Sequence, residues 1–174
     1  MYAYGVVILP PPDLYRELMK LRKGNPLFRS VVPPPHITVK SPFLFRQTGA
    51  RVVEQLEALC EEWEPFEIQL GGLGVFQDSI LYVQVEKSED LEALHLDIVD
   101  ALDGFVETLS DRFDGDQYTP HLTLANRLEP EELAELRRQL AGVRLRRRFV
   151  VDQIHLLRGR GRWDITHSFR LGPQ

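Results

Sequence analysis

Two segments of the chain repeat one pattern of residue types. Pro35-His36-Ile37-Thr38-Val39 and Pro120-His121-Leu122-Thr123-Leu124 both read proline, histidine, apolar, threonine, apolar. An imidazole can take up or release a proton near neutral pH, and a hydroxyl can donate a hydrogen bond to an oxyanion. One such pair is usually a surface feature, but two copies with the same flanking residues indicate an internal repeat that forms a site.

The repeat predicts that its polar side chains share a face. Residues two apart on a strand point to the same side, so His36 and Thr38 project together, as do His121 and Thr123. If a pseudo-twofold axis relates the copies, two imidazoles flank one atom across a cleft, with a hydroxyl beside each. A neutral imidazole as base and a cationic one as acid can then cleave a phosphodiester without a metal.

The paired motif resembles the signature of the 2H phosphoesterase superfamily, which includes LigT-like 2′-5′ RNA ligases and RNA 2′,3′-cyclic phosphodiesterases. Members carry one His-x-Thr/Ser-x motif in each lobe, and here these are His36-Ile37-Thr38-Val39 and His121-Leu122-Thr123-Leu124. The resemblance covers most of the chain. It implies a bilobal, duplicated α+β fold over residues 1–174, with two mostly antiparallel sheets facing a central cleft and helices outside.

The resemblance also implies roles for the four motif residues. His36 and His121 are the acid and the base, and Thr38 and Thr123 hold the phosphate. We assign protonation of the leaving O3′ to His36 and activation of water to His121, although the sequence leaves the reverse assignment open. The expected activity is metal-independent hydrolysis of a 2′,3′-cyclic phosphate, on an RNA end or a nucleotide, to a 2′-phosphate. Reversible 2′-5′ RNA ligation is a further activity, and no cofactor is expected.

Two alternatives stay open from the sequence. In the first, the same site acts on another small nucleotide, such as ADP-ribose 1″,2″-cyclic phosphate, or on a 2′-5′ linkage. In the second, the chain is a non-catalytic protein that binds RNA or a nucleotide through its phosphate. Turnover separates the second alternative from the others.

Five further residues are candidates for substrate contacts: Lys40, Phe43, Phe45, Tyr118 and Arg127. Strand alternation places Lys40 on the face of Thr38, where its ammonium could reach a phosphate. The three aromatic residues could stack on a base, although core packing is their more common use. Arg127 lies in the region after the second motif where family members often carry a basic residue.

Other residues of the sequence could form an RNA-binding surface, a metal site or a phosphate loop. The arginines of 144–148 and 158–162 could line an RNA path or keep a strand edge charged against aggregation. A zinc site is not indicated, because there is no His-Glu-x-x-His motif and Cys60 is the single cysteine. The segment Gly71-Gly72-Leu73-Gly74 lies within a predicted strand pair, where a bulge explains it better than a phosphate loop does.

The elements around the motifs alternate between strand and helix. Apolar periodicity and turn residues predict strands at 4–9, 36–40, 66–77, 79–85, 118–125, 148–157 and 163–171, and helices at 13–23, 51–63, 90–105 and 129–140. Several strands follow one another in hairpins, which favours an α+β fold with mostly antiparallel pairing.

Composition limits the class of protein. The chain has 174 residues, is 43% apolar and 27% charged, and has a formal net charge of -5. These values are typical of one globular domain, not of a disordered or fibrous chain. We find neither a signal peptide nor an apolar run of membrane-spanning length, so we expect a cytoplasmic monomer without a membrane partner. Basic residues concentrate at both ends of the chain, around an acidic middle.

Overall fold

The computed structural model describes residues 1–29, 33–110 and 114–173. Within these ranges the chain forms nine strands and four α-helices. The strands are β1 (Ala3–Ile8), β2 (Ile37–Phe45), β3 (Phe66–Phe76), β4 (Ile80–Val85), β5 (Val106–Thr108), β6 (His121–Ala125), β7 (Arg147–Val151), β8 (Gln153–Arg160) and β9 (Arg162–Arg170). The helices are α1 (Pro12–Arg22), α2 (Gly49–Glu62), α3 (Glu89–Ala101) and α4 (Pro130–Gln139).

The strands join in one antiparallel sheet of order β7-β3-β4-β6-β2-β1-β8-β9, and β5 pairs with β2 beside this path. The predicted α+β class and antiparallel pairing are confirmed. The two expected sheets are the two halves of this continuous sheet, and they meet where β2 pairs with β6. A single registered pair, Ile37 with Leu122, makes that junction, so each half brings one copy of the repeated motif to a common seam.

Apolar side chains from both motifs anchor the seam in the core. Ile37, Val39 and Leu122 are fully buried, and Leu124 is nearly so. Helix α3 packs on β2 and on α2, and α2 also packs on β9. Their buried faces come from the predicted helical spacing of apolar residues, such as Val52 and Leu56 on α2. Burial of one face at each motif strand leaves the opposite face for polar side chains.

Two predicted elements have the wrong extent, and one short strand was not predicted. The expected strand over 148–157 is two strands, because β7 pairs with β3 and β8 pairs with β1 at the other end of the sheet order. The third helix ends at Ala101, before Gly104 with its φ of +75°, and not at Phe105. The short strand β5 that follows has little signal of its own and forms because it pairs with Phe43–Phe45.

A search of the helices in the described ranges finds none with the length and apolar character needed to cross a membrane.

Candidate active site

The two motifs face each other across the seam between β2 and β6. Because Ile37 lies opposite Leu122 in an antiparallel pair, the neighbouring positions set Thr38 against His121 and His36 against Thr123. Thr38, His121 and Thr123 are partly exposed on the face opposite the core. The structure thus brings together the two histidines and two threonines that the repeat predicts, in a crossed arrangement in which each histidine faces the threonine of the other motif.

Both histidines are oriented by the same local hydrogen bond. His36 Nδ1 lies 2.7 Å from the Pro34 carbonyl oxygen, and His121 Nδ1 lies 2.8 Å from that of Thr119. A carbonyl oxygen only accepts, so Nδ1 is the protonated nitrogen in each ring. In the neutral form, each Nε2 therefore keeps its lone pair and can accept a proton.

A cavity of about 520 Å³ opens on this face of the sheet. It is lined by Thr38, Ser41, Pro42, Phe76, Gln77, Ile80, Gln117, Thr119, His121, Thr123 and Asn126. The volume suits a nucleotide-sized ligand. His36 is not among the lining residues, but it lies close enough to His121 for the charge of the His121 imidazole to lower the pKa of His36.

The electrostatic surroundings of His36 favour its neutral form. Burial lowers the pKa of His36 below its ordinary value, and the positive charges of His121 and Arg22 act in the same direction, while the hydrogen bond to Pro34 opposes them. Arg22 lies at the end of α1, where its guanidinium donates to the Pro33 carbonyl at 2.8 Å. A histidine that stays neutral at physiological pH is suited to act as a base.

Aromatic rings support His121 from β3 and β4. The Phe76 ring meets the imidazole edge-on, with 5.4 Å between centroids, and the Tyr82 ring does so at 5.8 Å. Phe76 and Tyr82 stack on each other at 4.0 Å. His121 therefore packs against a pair of stacked aromatic rings, which restricts the orientation of its imidazole.

Comparison with known proteins identifies the family. Residues 10–163 match the 2′-5′ RNA ligase superfamily. The chain belongs to this superfamily of 2H phosphoesterases. Two relatives bear the name "Putative phosphoesterase". One, from Oceanobacillus iheyensis, is 30% identical over 97% of this chain and 98% of its own length. The other, from Bacillus cereus, is 30% identical over 97% and 96%.

Solved structures show the same fold. TT0787 of Thermus thermophilus aligns with a TM-score of 0.66 at 18% identity, over 99% of both chains. Apo LigT of Escherichia coli aligns with a TM-score of 0.62 at 16% identity, over 98% of this chain and 97% of its own. Membership of the superfamily supports phosphoester hydrolysis by this chain, with the repeated motifs as its candidate catalytic residues.

The structure corrects the expected direction of Lys40. A register shift between Val6 and Val7 of β1 inserts an extra residue into β2, so strand alternation breaks before Lys40. The side chain is 2% exposed, and its ammonium donates to Thr108 Oγ1 at 2.9 Å and forms an ion pair with Asp114. In this phosphoesterase the Lys40 ammonium is therefore bound to buried partners within the protein and does not line the cavity.

The predicted aromatic residues and Arg127 do not line the cavity either. Phe43 is fully buried in the core, and Phe45 stacks on Tyr4 at 3.8 Å beside a different groove. Tyr118 is buried, and its hydroxyl donates to the Thr38 carbonyl at 3.0 Å, so it positions a motif residue from within the core. The Arg127 side chain is exposed and is not among the residues that line the cavity.

Three polar contributions to the site were not predicted. Asn126 lines the cavity, and its Oδ1 is buried without a hydrogen-bond partner among the described residues. Ser41 also lines it, and its hydroxyl donates to Asp114 at 2.7 Å. His95 is fully buried behind β2, where it bonds the Val39 carbonyl and accepts from the Gly115 amide. Of the three, only Asn126 could have been suspected from the sequence, because it lies two residues after the end of the second motif.

Other reactive groups lie outside the site. In the part of the chain that the structure describes, no group of three or more His, Cys, Asp or Glu side chains could hold a metal ion. Cys60 is buried in α2, and burial raises the pKa of its thiol to about 12, so it remains protonated at neutral pH. His155 is buried against Ser168, and His167 is exposed on β9. The histidines at the seam are the groups suited to proton transfer.

Proposed function

We propose that this chain is a metal-independent phosphodiesterase that hydrolyses a 2′,3′-cyclic phosphate to a 2′-phosphate. The observation that carries the proposal is the crossed arrangement at the seam. His36 lies opposite Thr123, and Thr38 lies opposite His121. Each imidazole uses Nδ1 for its hydrogen bond to the backbone, so Nε2 is not used in that bond. A phosphate placed between the two strands can meet a base on one side, an acid on the other and a hydroxyl from each strand.

The proposed reaction proceeds by in-line displacement. Nε2 of the neutral histidine takes a proton from water as the water oxygen bonds to phosphorus. The bond from phosphorus to O3′ breaks, and Nε2–H of the cationic histidine gives its proton to O3′. The ester bond to O2′ is kept, so the product is a 2′-phosphate. Afterwards the first imidazole carries the charge and the second is neutral, and exchange with solvent restores both.

The surroundings of the histidines favour His36 as the base and His121 as the acid. This is the reverse of the assignment made from the sequence. Burial and neighbouring positive charge hold the pKa of His36 below its ordinary value, which keeps it neutral. His121 is partly exposed at the mouth of the cavity, where the charged form is solvated and can lie against a phosphate anion.

The threonine hydroxyls of Thr38 and Thr123 donate to the two non-bridging oxygens of the phosphate. Both line the cavity, on the same face as His121. Such donors stabilise charge that develops on the oxygens in the transition state. If the 5′-hydroxyl of another RNA takes the place of water, the same displacement forms a 2′-5′ linkage, which accounts for ligation as a secondary activity of the same site.

The comparisons support a nucleotide substrate. A related fold, LigT of Escherichia coli, has been solved in complex with 3′-AMP and aligns over 98% of both chains. The cavity here is of suitable size, and its amide side chains Gln77, Gln117 and Asn126 are able to hydrogen-bond a sugar or a base.

The test is hydrolysis of a 2′,3′-cyclic mononucleotide in the presence of EDTA. Wild-type protein is expected to form the 2′-phosphate, and His36→Ala and His121→Ala are each expected to lower kcat by about 10²–10⁴-fold. His167→Ala, at an exposed histidine on β9, is the matched control.

Each other outcome has a defined meaning. Binding without turnover would support the non-catalytic alternative. Faster turnover of ADP-ribose 1″,2″-cyclic phosphate or of a 2′-5′-linked dinucleotide would identify that compound as the better substrate. Loss of activity on addition of EDTA would refute the metal-independent mechanism.

A further inference from the structure

The face of the sheet that carries the candidate active site continues beyond the cavity across β4. Tyr82 lies opposite Thr123, and Gln84 lies opposite His121. Residues directly opposite in an antiparallel pair project on the same face. Gln84 is exposed. The surface next to His121 on β4 is therefore polar and accessible to solvent.

On β3 the same face is made of glycine. A register shift between Leu70 and Leu73 places Gly71 and Gly72 in a bulge, as the sequence predicts. A Cβ on Gly71 would lie 3.0 Å from the Cβ of Gln84, which confirms that Gly71 faces the same side as His121. Gly71 and Gly72 add no side chain of their own to this surface, and the Gln84 amide lies over Gly71, with its Oε1 3.2 Å from where a Cβ would be.

Arg146 reaches this glycine surface from β7, the strand that flanks β3 on the side away from β4. It immediately precedes β7, yet its guanidinium turns inward, and a Cβ on Gly72 would lie 3.1 Å from Arg146 Nη2. The next arginines are neutralised, because Arg147 pairs with Asp13 and Arg148 with Glu67. Arg146 has no hydrogen bond or ion pair with any residue in the described ranges, and it is exposed.

An arginine that only protects a strand edge from aggregation would point outward from β7. Arg146 instead folds back over β3, where its guanidinium lies against Gly72 of the bulge. Adjacent strands lie about 4.8 Å apart, so β3 is about 10 Å from β6. A stacked single strand of nucleic acid rises about 3.4 Å per nucleotide, so about three nucleotides cover this distance.

We propose that Arg146, over Gly72, is a subsite for a backbone phosphate of an oligonucleotide substrate. An RNA end with its cyclic phosphate between His36 and His121 would run across β4 and β3 and place an upstream phosphate on Arg146. The planar guanidinium suits this role, because it donates two parallel hydrogen bonds to phosphate oxygens. The inference rests on the proposed function and deepens it, since it selects an RNA end over a free nucleotide.

The test compares kcat/KM for a 2′,3′-cyclic mononucleotide with that for a short RNA that ends in the same group. The ratio of the RNA value to the mononucleotide value is expected to fall about tenfold in Arg146→Ala. Arg160→Ala, at an exposed arginine near the opposite end of the sheet order, is the matched control and is expected to keep the wild-type ratio. For the RNA substrate, the slope of log(kcat/KM) against log salt concentration is expected to be less steep by about 0.7 in Arg146→Ala than in wild-type protein.

An unchanged ratio in Arg146→Ala, or an equal fall in Arg160→Ala, would overturn the subsite. A separate binding arm uses a fluorescent RNA of the same length that ends in a 3′-phosphate, which needs no turnover. Weaker binding by Arg146→Ala supports the subsite even if neither cyclic substrate is hydrolysed, whereas equal binding overturns it. Failure of hydrolysis in wild-type protein concerns the proposed function alone.

Discussion

The ring of Tyr82 occupies the space that a side chain at Gly74 would need. A Cβ on Gly74 would lie 2.4 Å from Tyr82 Cζ, closer than any non-bonded carbon pair allows. Gly74 and Tyr82 are directly paired across β3 and β4. The absence of a side chain at Gly74 therefore lets Tyr82 lie flat on the sheet, where it stacks on Phe76 and meets His121 edge-on.

Gly74→Ala is expected to displace the Tyr82 ring and, through it, the imidazole of His121. We expect a loss of about 1–3 kcal/mol in unfolding free energy from overpacking, together with a fall in kcat. Urea unfolding and hydrolysis kinetics measure the two effects. Gly142→Ala is the matched control, because nothing lies within 4 Å of a Cβ at Gly142. A Gly74→Ala protein with wild-type kcat would show that the aromatic rings do not position His121.

The pH profile reports the state of His36. Burial, and then the charges of His121 and Arg22, lower the pKa of His36. As a base it acts only when neutral, so kcat/KM falls as the pH drops through this lowered pKa. We expect the acid limb of the kcat/KM profile to lie below about 6.5, the ordinary pKa of imidazole.

Arg22→Gln is expected to move that acid limb to higher pH, because it removes a positive charge that disfavours protonation of His36. Lys20→Gln, at an exposed lysine on the same helix, is the control. An acid limb above the ordinary imidazole value in wild-type protein would contradict the assignment of His36 as the base. It would return that role to His121.

Lys40 and Asp114 form a buried ion pair that supports the cavity from behind. Asp114 also accepts hydrogen bonds from the amide and hydroxyl of Ser41, which lines the cavity. Lys40→Met is expected to destabilise the protein by about 3–5 kcal/mol, since it leaves the Asp114 carboxylate buried without its partner. The double variant Lys40→Met with Asp114→Asn is expected to recover part of this loss in urea unfolding. Additive losses in this double-mutant cycle would show that the two side chains do not interact.

The repeated motif could be predicted because its information is local. The alternation in Ile37–Val39 and Leu122–Leu124 fixes which side chains are buried and which face outward, whatever the strands pair with. The repeat then indicates that two equivalent strands exist. The register between β2 and β6 could not be predicted from the sequence, because the crossed pairing of His36 with Thr123 depends on how the two halves of the sheet meet.

Features that depend on tertiary pairing were missed or wrong. Lys40 follows alternation in the sequence, but a bulge against β1 turns it inward to Asp114, a partner far along the chain. The break at Asp152 carries no glycine or proline, yet it sends β7 and β8 to different partners. Neither a bulge nor a change of partner strand leaves a mark in local periodicity.

Asn126 is held at the cavity by a rigid loop. Arg127 adopts a left-handed φ of +55°, which is strained for a residue with a side chain. The Leu128 amide donates to the Ser79 carbonyl at 3.0 Å, and Arg29 donates to the Arg127 carbonyl at 3.4 Å. Strain of this kind persists when the surroundings enforce it, and here it directs Asn126 to the cavity beside Thr123.

Asn126→Leu is expected to make the protein more stable and less active. A buried acceptor with no partner among the described residues lowers stability, so an apolar side chain of similar shape is expected to raise the unfolding free energy by about 1 kcal/mol. If the amide hydrogen-bonds the substrate, the same change lowers kcat/KM by about tenfold. Gln55→Leu, on helix α2 away from the cavity, is the control for a general effect of replacing an amide. A stabilised Asn126→Leu protein with unchanged kcat/KM would assign the amide no part in substrate binding, and a destabilised one would show that its oxygen is satisfied in solution.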